Sequence, residues 1–224
     1  HIPAGGTLAI VGHTGSGKST VADLIVRHFD PTDGTVSIDD VDLRKFDLAA
    51  LRERIGHVPQ DVFLFSDTIA NNIAFSMDHP KLEEITKAAR AAQVDDNIRT
   101  FPKGYDTLLG ERGVTLSGGQ KQRVSIARAL AAAPRILLLD DPLSAVDTAT
   151  EEAILRDLRE ARSRGCTTII ISHRISAVQD ADHILVLEQG RVIEEGVHAN
   201  LLARAGAYAK LHQEQLLEEA RERA

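Results

Sequence analysis

The stretch Gly12-His13-Thr14-Gly15-Ser16-Gly17-Lys18-Ser19 constrains this chain more than any other. It is bracketed by Thr7 to Val11, an apolar run with strand character, and by Ser19 to Phe29, where Val21, Leu24, Ile25 and Phe29 recur on a helical period. A strand, a glycine loop and a helix in that order turn successive backbone N–H groups toward one point at the helix N-terminus, where an anion is favoured. Lys18 adds a point charge for β and γ phosphate oxygens, and Ser19 adds a hydroxyl for Mg²⁺. The loop and the following Thr20 are therefore read as a cradle for the phosphates of ATP or GTP. A chance glycine-rich turn is the alternative, and it leaves the flanking strand and helix without a reason.

At 224 residues and 43% hydrophobic content the chain is long enough for one substantial core with an inserted subdomain. The formal net charge of −7 argues against nucleic acid held by bulk electrostatics. The single cysteine, Cys166, opens the strand-like run Cys166-Thr167-Thr168-Ile169-Ile170-Ile171 and reads as a small core residue, as expected of a reducing compartment. No apolar run approaches the length of a membrane span, and the start does not resemble a signal peptide, so the chain reads as soluble. It opens on His1 and runs almost directly into the first strand, which suggests a piece of something longer.

Strand-like runs at 7–11, 35–38, 55–58, 135–139, 167–171, 183–187 and 191–194 alternate with helical segments at 19–29, 148–164 and 175–181. This alternation predicts an α/β fold with a mainly parallel sheet. Between Ser66 and Ala133 the pattern changes. Leu82, Ile85, Ala88, Ala89 and Ala92 recur on a helical period, no convincing strand is present, and the segment reads as a mostly helical insertion. The expected organisation is a discontinuous core of residues 1–66 and 134–207, a helical subdomain of 67–133, and a C-terminal helix of 208–224. That last helix is read as solvated, with contact to a partner as the alternative.

Two further stretches carry chemistry. Ile136-Leu137-Leu138-Leu139-Asp140 is a buried strand ending in a carboxylate, which aims Asp140 at a metal beside the phosphate loop. Asp141 follows at once, and adjacent strand-end residues point differently, so one acid can face metal while the next faces attacking water. Leu116-Ser117-Gly118-Gly119-Gln120 precedes a long helix from Lys121 to Ala132, placing a hydroxyl and free N–H groups at the positive end of its dipole. Taken alone, Ser117 and two glycines simply capping a helix would account for that stretch.

Two phosphate-binding helix starts in one chain, with Asp140 soon after the second, resemble the nucleotide-binding domain of an ABC ATPase. The resemblance covers nearly the whole chain and implies a P-loop NTPase (RecA-like) core with a helical signature subdomain. In this family two domains sandwich ATP between the phosphate loop of one and the Ser117, Gly118, Gly119, Gln120 signature of the other. Gln60 in Val58-Pro59-Gln60-Asp61 resembles the Q-loop, implied to touch Mg²⁺ and to sense transmembrane domains. Ser144-Ala145-Val146-Asp147 resembles the D-loop, and His173 in Ile171-Ser172-His173-Arg174 resembles the switch histidine that reaches the γ-phosphate. The resemblance thus implies Ser19, Gln60 and Asp140 around Mg²⁺, with Lys18, Gln60, Asp141 and His173 in catalysis.

Thr107-Leu108-Leu109-Gly110-Glu111-Arg112-Gly113 resembles the X-loop of exporters, and Asp61 to Ser66 with Ile69 to Ile73 look exporter-like as a surface that receives a coupling helix. At least one of Phe63 and Phe65 is expected in the core. The implied partners are a second nucleotide-binding domain and the transmembrane domains of an exporter, absent from this chain, with the chain at the cytoplasmic face of the plasma or inner membrane. About a hundred residues without heptads separate phosphate loop from signature, against a mechanical ATPase with an inserted coiled coil.

The pattern is broken at one place. The family usually has Glu after the strand-end aspartate, and here Asp141 stands there. It is shorter by roughly 1.5 Å. The implied consequence is ATP held normally and cleaved slowly, as in the impaired half of an asymmetric exporter whose partner chain carries the Glu. A symmetric homodimer and a nucleotide-gated regulatory module with negligible hydrolysis are the alternatives. The adenine-stacking aromatic of the family is missing from residues 1–6.

Overall fold

The computed structural model describes residues 1–110, 115–163 and 165–222. The chain begins with β1 (Thr7–Val11) and α1 (Lys18–Ile25), then β2 (Ser37–Ile38), β3 (Val41–Asp42), α2 (Leu48–Glu53) and β4 (Ile55–Val58). Four helices follow: α3 (Ile69–Ile73), α4 (Leu82–Ala91), α5 (Asp95–Thr100) and α6 (Gly118–Ala131). The rest is β5 (Ile136–Asp140), α7 (Thr148–Ser163), β6 (Thr167–Ile171), β7 (His183–Glu188), β8 (Arg191–Gly196), α8 (His198–Ala203) and α9 (Ala207–Glu222).

Six strands form one sheet in the order β4-β5-β6-β1-β7-β8, parallel throughout except for the antiparallel β7–β8 pair. Burial explains the apolar runs. Side chains alternate across a strand, and here both faces are covered: Leu137 and Leu139 join one core cluster while Leu138 joins the other. The first cluster takes in α4, α6, α7 and the start of α9, and the second takes in α1 and α2. Because β1, β4, β5 and β6 are parallel, the loops that follow them all leave from one edge of the sheet. In open α/β sheets that edge is where ligands sit.

Several expected boundaries are corrected. The helix expected over 19–29 ends at Ile25, because Arg27 turns left-handed at φ 53° and the N–H groups of Arg27 and His28 return to the carbonyls of Leu24 and Asp23. That is a helix-ending Schellman pattern with arginine where glycine is usual, and it leaves Phe29 exposed rather than on a buried face. No helix forms over 175–181. That segment is turns, with Val178 bonded to Ile175 and Ala181 to Val178, even though Ile175, Ala177 and Val178 are buried as an amphipathic pattern would require. Its bonds are mainly of the i to i−3 kind, with a single i to i−4 bond from the Gln179 N–H to the Ile175 carbonyl, so no helical ladder is built.

The strand expected over 35–38 shrinks to Ser37–Ile38 and pairs only with Val41–Asp42, through a turn in which Asp39 and Asp40 both have positive φ. Thr68, just before α3, forms an isolated antiparallel bridge with Leu108. The C-terminal helix is only partly solvated: Tyr208 is fully buried and Leu211 nearly so, whereas Leu216 and Leu217 are exposed. Its start is fastened by Glu194 of β8, which accepts from the N–H groups of Ala207 at 2.6 Å and Tyr208 at 3.1 Å. No helix among the described residues is long and apolar enough to cross a membrane.

Candidate functional site

At the C-terminal edge of the parallel strands a cavity of about 250 Å³ is lined by Lys18 and Ser19 at the start of α1, Gln60 beyond β4, Asp140 and Asp141 at the end of β5, and His173 beyond β6. Residues separated by more than 150 positions thus meet because parallel pairing brings four strand ends together. Thr14, Gly15, Gly17 and Thr20 complete the phosphate-loop side of the wall.

The loop has the shape the sequence predicts. Gly12 lies at φ 152° and so close to β7 that a Cβ there would fall 2.2 Å from the Leu187 carbonyl oxygen, which excludes any larger residue. Ser16 is buried, and His13 faces solvent. Lys18 Nζ donates to the carbonyls of Gly12 at 2.7 Å and His13 at 2.9 Å, so the ammonium lies across the mouth of its own loop. Burial lowers the Lys18 pKa from its usual range, and the carboxylates of Asp140 and Asp141 partly oppose that shift. Asp140 is pushed the other way. Burial raises its pKa, a hydrogen bond from Ser19 and the Lys18 charge lower it, and the neighbouring Asp141 raises it again.

The two aspartates diverge as adjacent strand-end residues should. Asp140 turns to Ser19, whereas Asp141 turns to His173, with Oδ1 2.9 Å from Nδ1. Asp141 leaves the strand geometry at φ 49°, a left-handed conformation that aspartate tolerates better than most residues. The hydrogen bond to Asp141 raises the His173 pKa. Burial and the charges of Arg174 and Lys18 work against that rise.

An oxygen-rich donor set of Ser19 hydroxyl, Asp140 carboxylate and Gln60 amide is the kind that Mg²⁺ takes when nucleotide oxygens and water fill its remaining positions. The residues present therefore fit both a nucleotide triphosphate and its metal.

The signature residues stand apart. Ser117, Gly118, Gly119 and Gln120 do not line this cavity. Ser117 caps α6, its Oγ accepting from the Gln120 N–H at 3.3 Å while Gln120 Oε1 accepts from the Ser117 N–H at 3.0 Å. Gly119 packs on the 144–147 loop, where a Cβ would lie 2.6 Å from the Ala145 carbonyl. Both Phe63 and Phe65 are exposed, 66% and 36%, so the expectation that one is core is corrected. Phe65 instead stacks on Phe75 at 4.4 Å, with the Arg128 guanidinium over both rings. Glu111, Arg112 and Gly113 of the exporter-like loop lie outside the described residues.

The polar contacts of Gln122, Arg174 and Glu151 had no signal in the sequence. Gln122 donates to Ser144 Oγ at 2.7 Å and accepts from the Ala145 N–H at 3.0 Å, tying α6 to the 144–147 loop. Arg174 reaches the same loop at the Ser144 carbonyl, 3.3 Å, and is held by buried Glu151 at 2.7 Å. Glu151 also accepts from Ser176 Oγ at 2.7 Å. Gln122 lies two positions past the signature and Arg174 directly after His173, but only the folded chain gives either a partner.

Comparison with known proteins shows the family. The ABC transporter family profile matches residues 1–144. A mitochondrial potassium channel ATP-binding subunit of Xenopus tropicalis is 52% identical over 94% of the chain. An ATP-dependent lipid A-core flippase of Chromohalobacter salexigens is 49% identical over 97%, and an ATM1-type heavy metal exporter of Novosphingobium aromaticivorans is 48% identical over 98%. The chain spans only 30% to 37% of the length of these relatives. The solved structure of a bacterial Atm1-family ABC exporter with ATP bound superposes with a TM-score of 0.91 at 48% identity, over 95% of this chain and 37% of that one. The chain belongs to the ABC transporter family, and it is the ATP-binding part that it represents.

Proposed function

We propose that this chain is one of two ATP-hydrolysing units that drive an exporter, working at the cytoplasmic face of a membrane beneath transmembrane domains. The observation that carries the reading is the convergence of Lys18, Ser19, Gln60, Asp140, Asp141 and His173 on one cavity, while the Ser117–Gln120 signature stays outside it. A unit so built needs a second unit to close its site. The first holds ATP on its phosphate loop, and the second brings its own Ser117, Gly118, Gly119 and Gln120 against the γ-phosphate.

In this account Lys18 leaves its loop carbonyls for the β and γ phosphate oxygens, and the backbone N–H groups of Gly15 to Ser19 hold the remaining charge. Ser19, Asp140 and Gln60 would hold Mg²⁺, which would supply positive charge to neutralise the phosphates. Asp141 orients the attacking water, and His173, positioned by Asp141, contacts the γ-phosphate. The working division is a core of residues 1–66 and 134–207, a helical subdomain of 67–133 and a C-terminal helix. The exposed Phe63, Phe65 and Phe75 beside Arg128 suit a surface that receives a coupling helix of the transmembrane part. The short carboxylate of Asp141 makes this chain's own site the slow one of the pair, with a different partner chain carrying the competent acid.

A second reading has one observation in its favour: the 52% identical relative is the ATP-binding subunit of a channel, so ATP occupancy rather than turnover could be the output. Melting temperature with and without Mg-ATP tests the common core of both. Binding to the native state alone adds about 2.7 kcal/mol at roughly a hundredfold excess over Kd. The expected result is a rise in wild type that Lys18→Ala abolishes. A folded wild type with no rise contradicts both readings, and a rise with no phosphate release selects the second.

A further inference from the structure

The C-terminal helix reaches the histidine loop. Tyr208, Leu211 and Gln215 of α9 lie at spacings of three and four, which places them on one stripe of the helix, and the first two are buried against the body of the protein. The stripe therefore turns Gln215 inward. Its Oε1 accepts from the Ile175 N–H at 2.7 Å, and its Nε2 donates to the His173 carbonyl. In extended chain the C=O of one residue and the N–H of the residue two further on point the same way, so one side-chain amide can satisfy both as a neighbouring strand would.

The clamped tripeptide His173-Arg174-Ile175 carries two outward-reaching groups. His173 meets Asp141 in the cavity at 2.9 Å, and Arg174 meets Glu151 and the Ser144 carbonyl of the 144–147 loop. The segment after it is turns rather than helix, so its own backbone bonding does little to fix the His173 backbone. The anchorage of α9 is firm: Glu194 caps its start, and Tyr208 bonds His198 Nδ1 at 2.8 Å.

We infer that Gln215 is a positioning residue for ATP hydrolysis, setting the backbone from which His173 reaches the γ-phosphate side of the cavity, so that turnover depends on the docking of the C-terminal helix. The inference rests on the proposed role of His173. It concerns the chemical step and not nucleotide binding, because Gln215 does not line the cavity.

The test is ATP hydrolysis by the full natural protein carrying Gln215→Ala, Gln215→Glu, His173→Ala, or Gln215→Ala with His173→Ala, with melting temperatures measured alongside. Gln215→Glu keeps an acceptor for the Ile175 N–H and sets a carboxylate against the His173 carbonyl, so it isolates the donor half of the clamp. Expected are a kcat about tenfold lower in both Gln215 variants, an ATP KM within about twofold of wild type, and no further loss when Gln215→Ala is added to His173→Ala. Full turnover in both Gln215 variants, or an equal loss in the His173→Ala background, overturns the inference. So does a failure of both Gln215 variants to fold, which makes the residue structural. If His173→Ala itself turns over at the wild-type rate, it is the role of His173 that fails.

Discussion

Asp141 has a left-handed backbone and a hydrogen bond to His173, and the proposed mechanism asks it as well to align water on the γ-phosphate. Aspartate suits the first two, and its reach is short for the third. A misplacement near 1 Å costs about 10²-fold in rate, while ATP binding hardly depends on this side chain. Asp141→Glu is therefore expected to raise steady-state phosphate release about tenfold, close to 1.4 kcal/mol of barrier, with little change in ATP affinity. An unchanged or lower rate at equal occupancy means that this aspartate is adequate as it stands. The same pair makes a pH prediction. The His173 pKa is raised from 6.5 in the folded chain by its hydrogen bond to Asp141, with Arg174 and Lys18 the opposing charges. A raised histidine stabilises the fold fully below its unfolded value, and the contribution is lost as pH rises through the folded value. The melting difference between wild type and Asp141→Asn should thus be largest below about pH 6.5 and shrink above it. A difference independent of pH contradicts the pairing.

Between elements, a buried side chain hydrogen-bonds α6 to the loop before α7. Gln122 supplies a donor to Ser144 and an acceptor to Ala145, and it is only 6% exposed. Gln122→Ala removes both bonds and leaves the Ala145 N–H without that partner, which should cost about 1–3 kcal/mol in urea unfolding. A change below about 0.5 kcal/mol would place the loop under other control. This contact also shows where reading the chain stops. The strands were legible because β1, β5 and β6 are buried on both faces and so carry the apolar runs Leu8 to Val11, Ile136 to Leu139 and Ile169 to Ile171. The phosphate loop, Asp140 and Asp141 were legible because they directly follow such runs. Helix ends were less so: Phe29 continues the period of α1, but a left-handed Arg27 has already ended the helix. Over 175–181 the apolar spacing is helical and the burial real, yet the Ile175 N–H is bonded to Gln215, forty residues on. Gln122, Glu151, Arg174 and Gln215 carry no local pattern, since each is defined by a partner more than twenty residues away.

In the whole molecule the phosphate loop and the signature lie in one chain but not at one cavity, and in the proposed mechanism a second unit brings them together. In a head-to-tail pair, changes in this chain address different sites: Lys18→Ala strikes the site on its own phosphate loop, and Ser117→Arg strikes the one on its partner's. Ser117 is the better probe than Gly119, because any Cβ at Gly119 already collides with the Ala145 carbonyl. Ser117 is exposed, and replacing it sacrifices only a helix cap, about 1 kcal/mol. If this chain holds the slow site, Lys18→Ala should cost the assembled complex less turnover than Ser117→Arg. The most direct measurement is phosphate release by the complex assembled with its natural partner, with Ser117→Arg in this chain, beside the Mg-ATP melting shift of the isolated variant. Hydrolysis should be almost abolished while the melting shift persists, since the variant's own phosphate loop is untouched. Wild-type hydrolysis by the Ser117→Arg complex would contradict a site shared between two units.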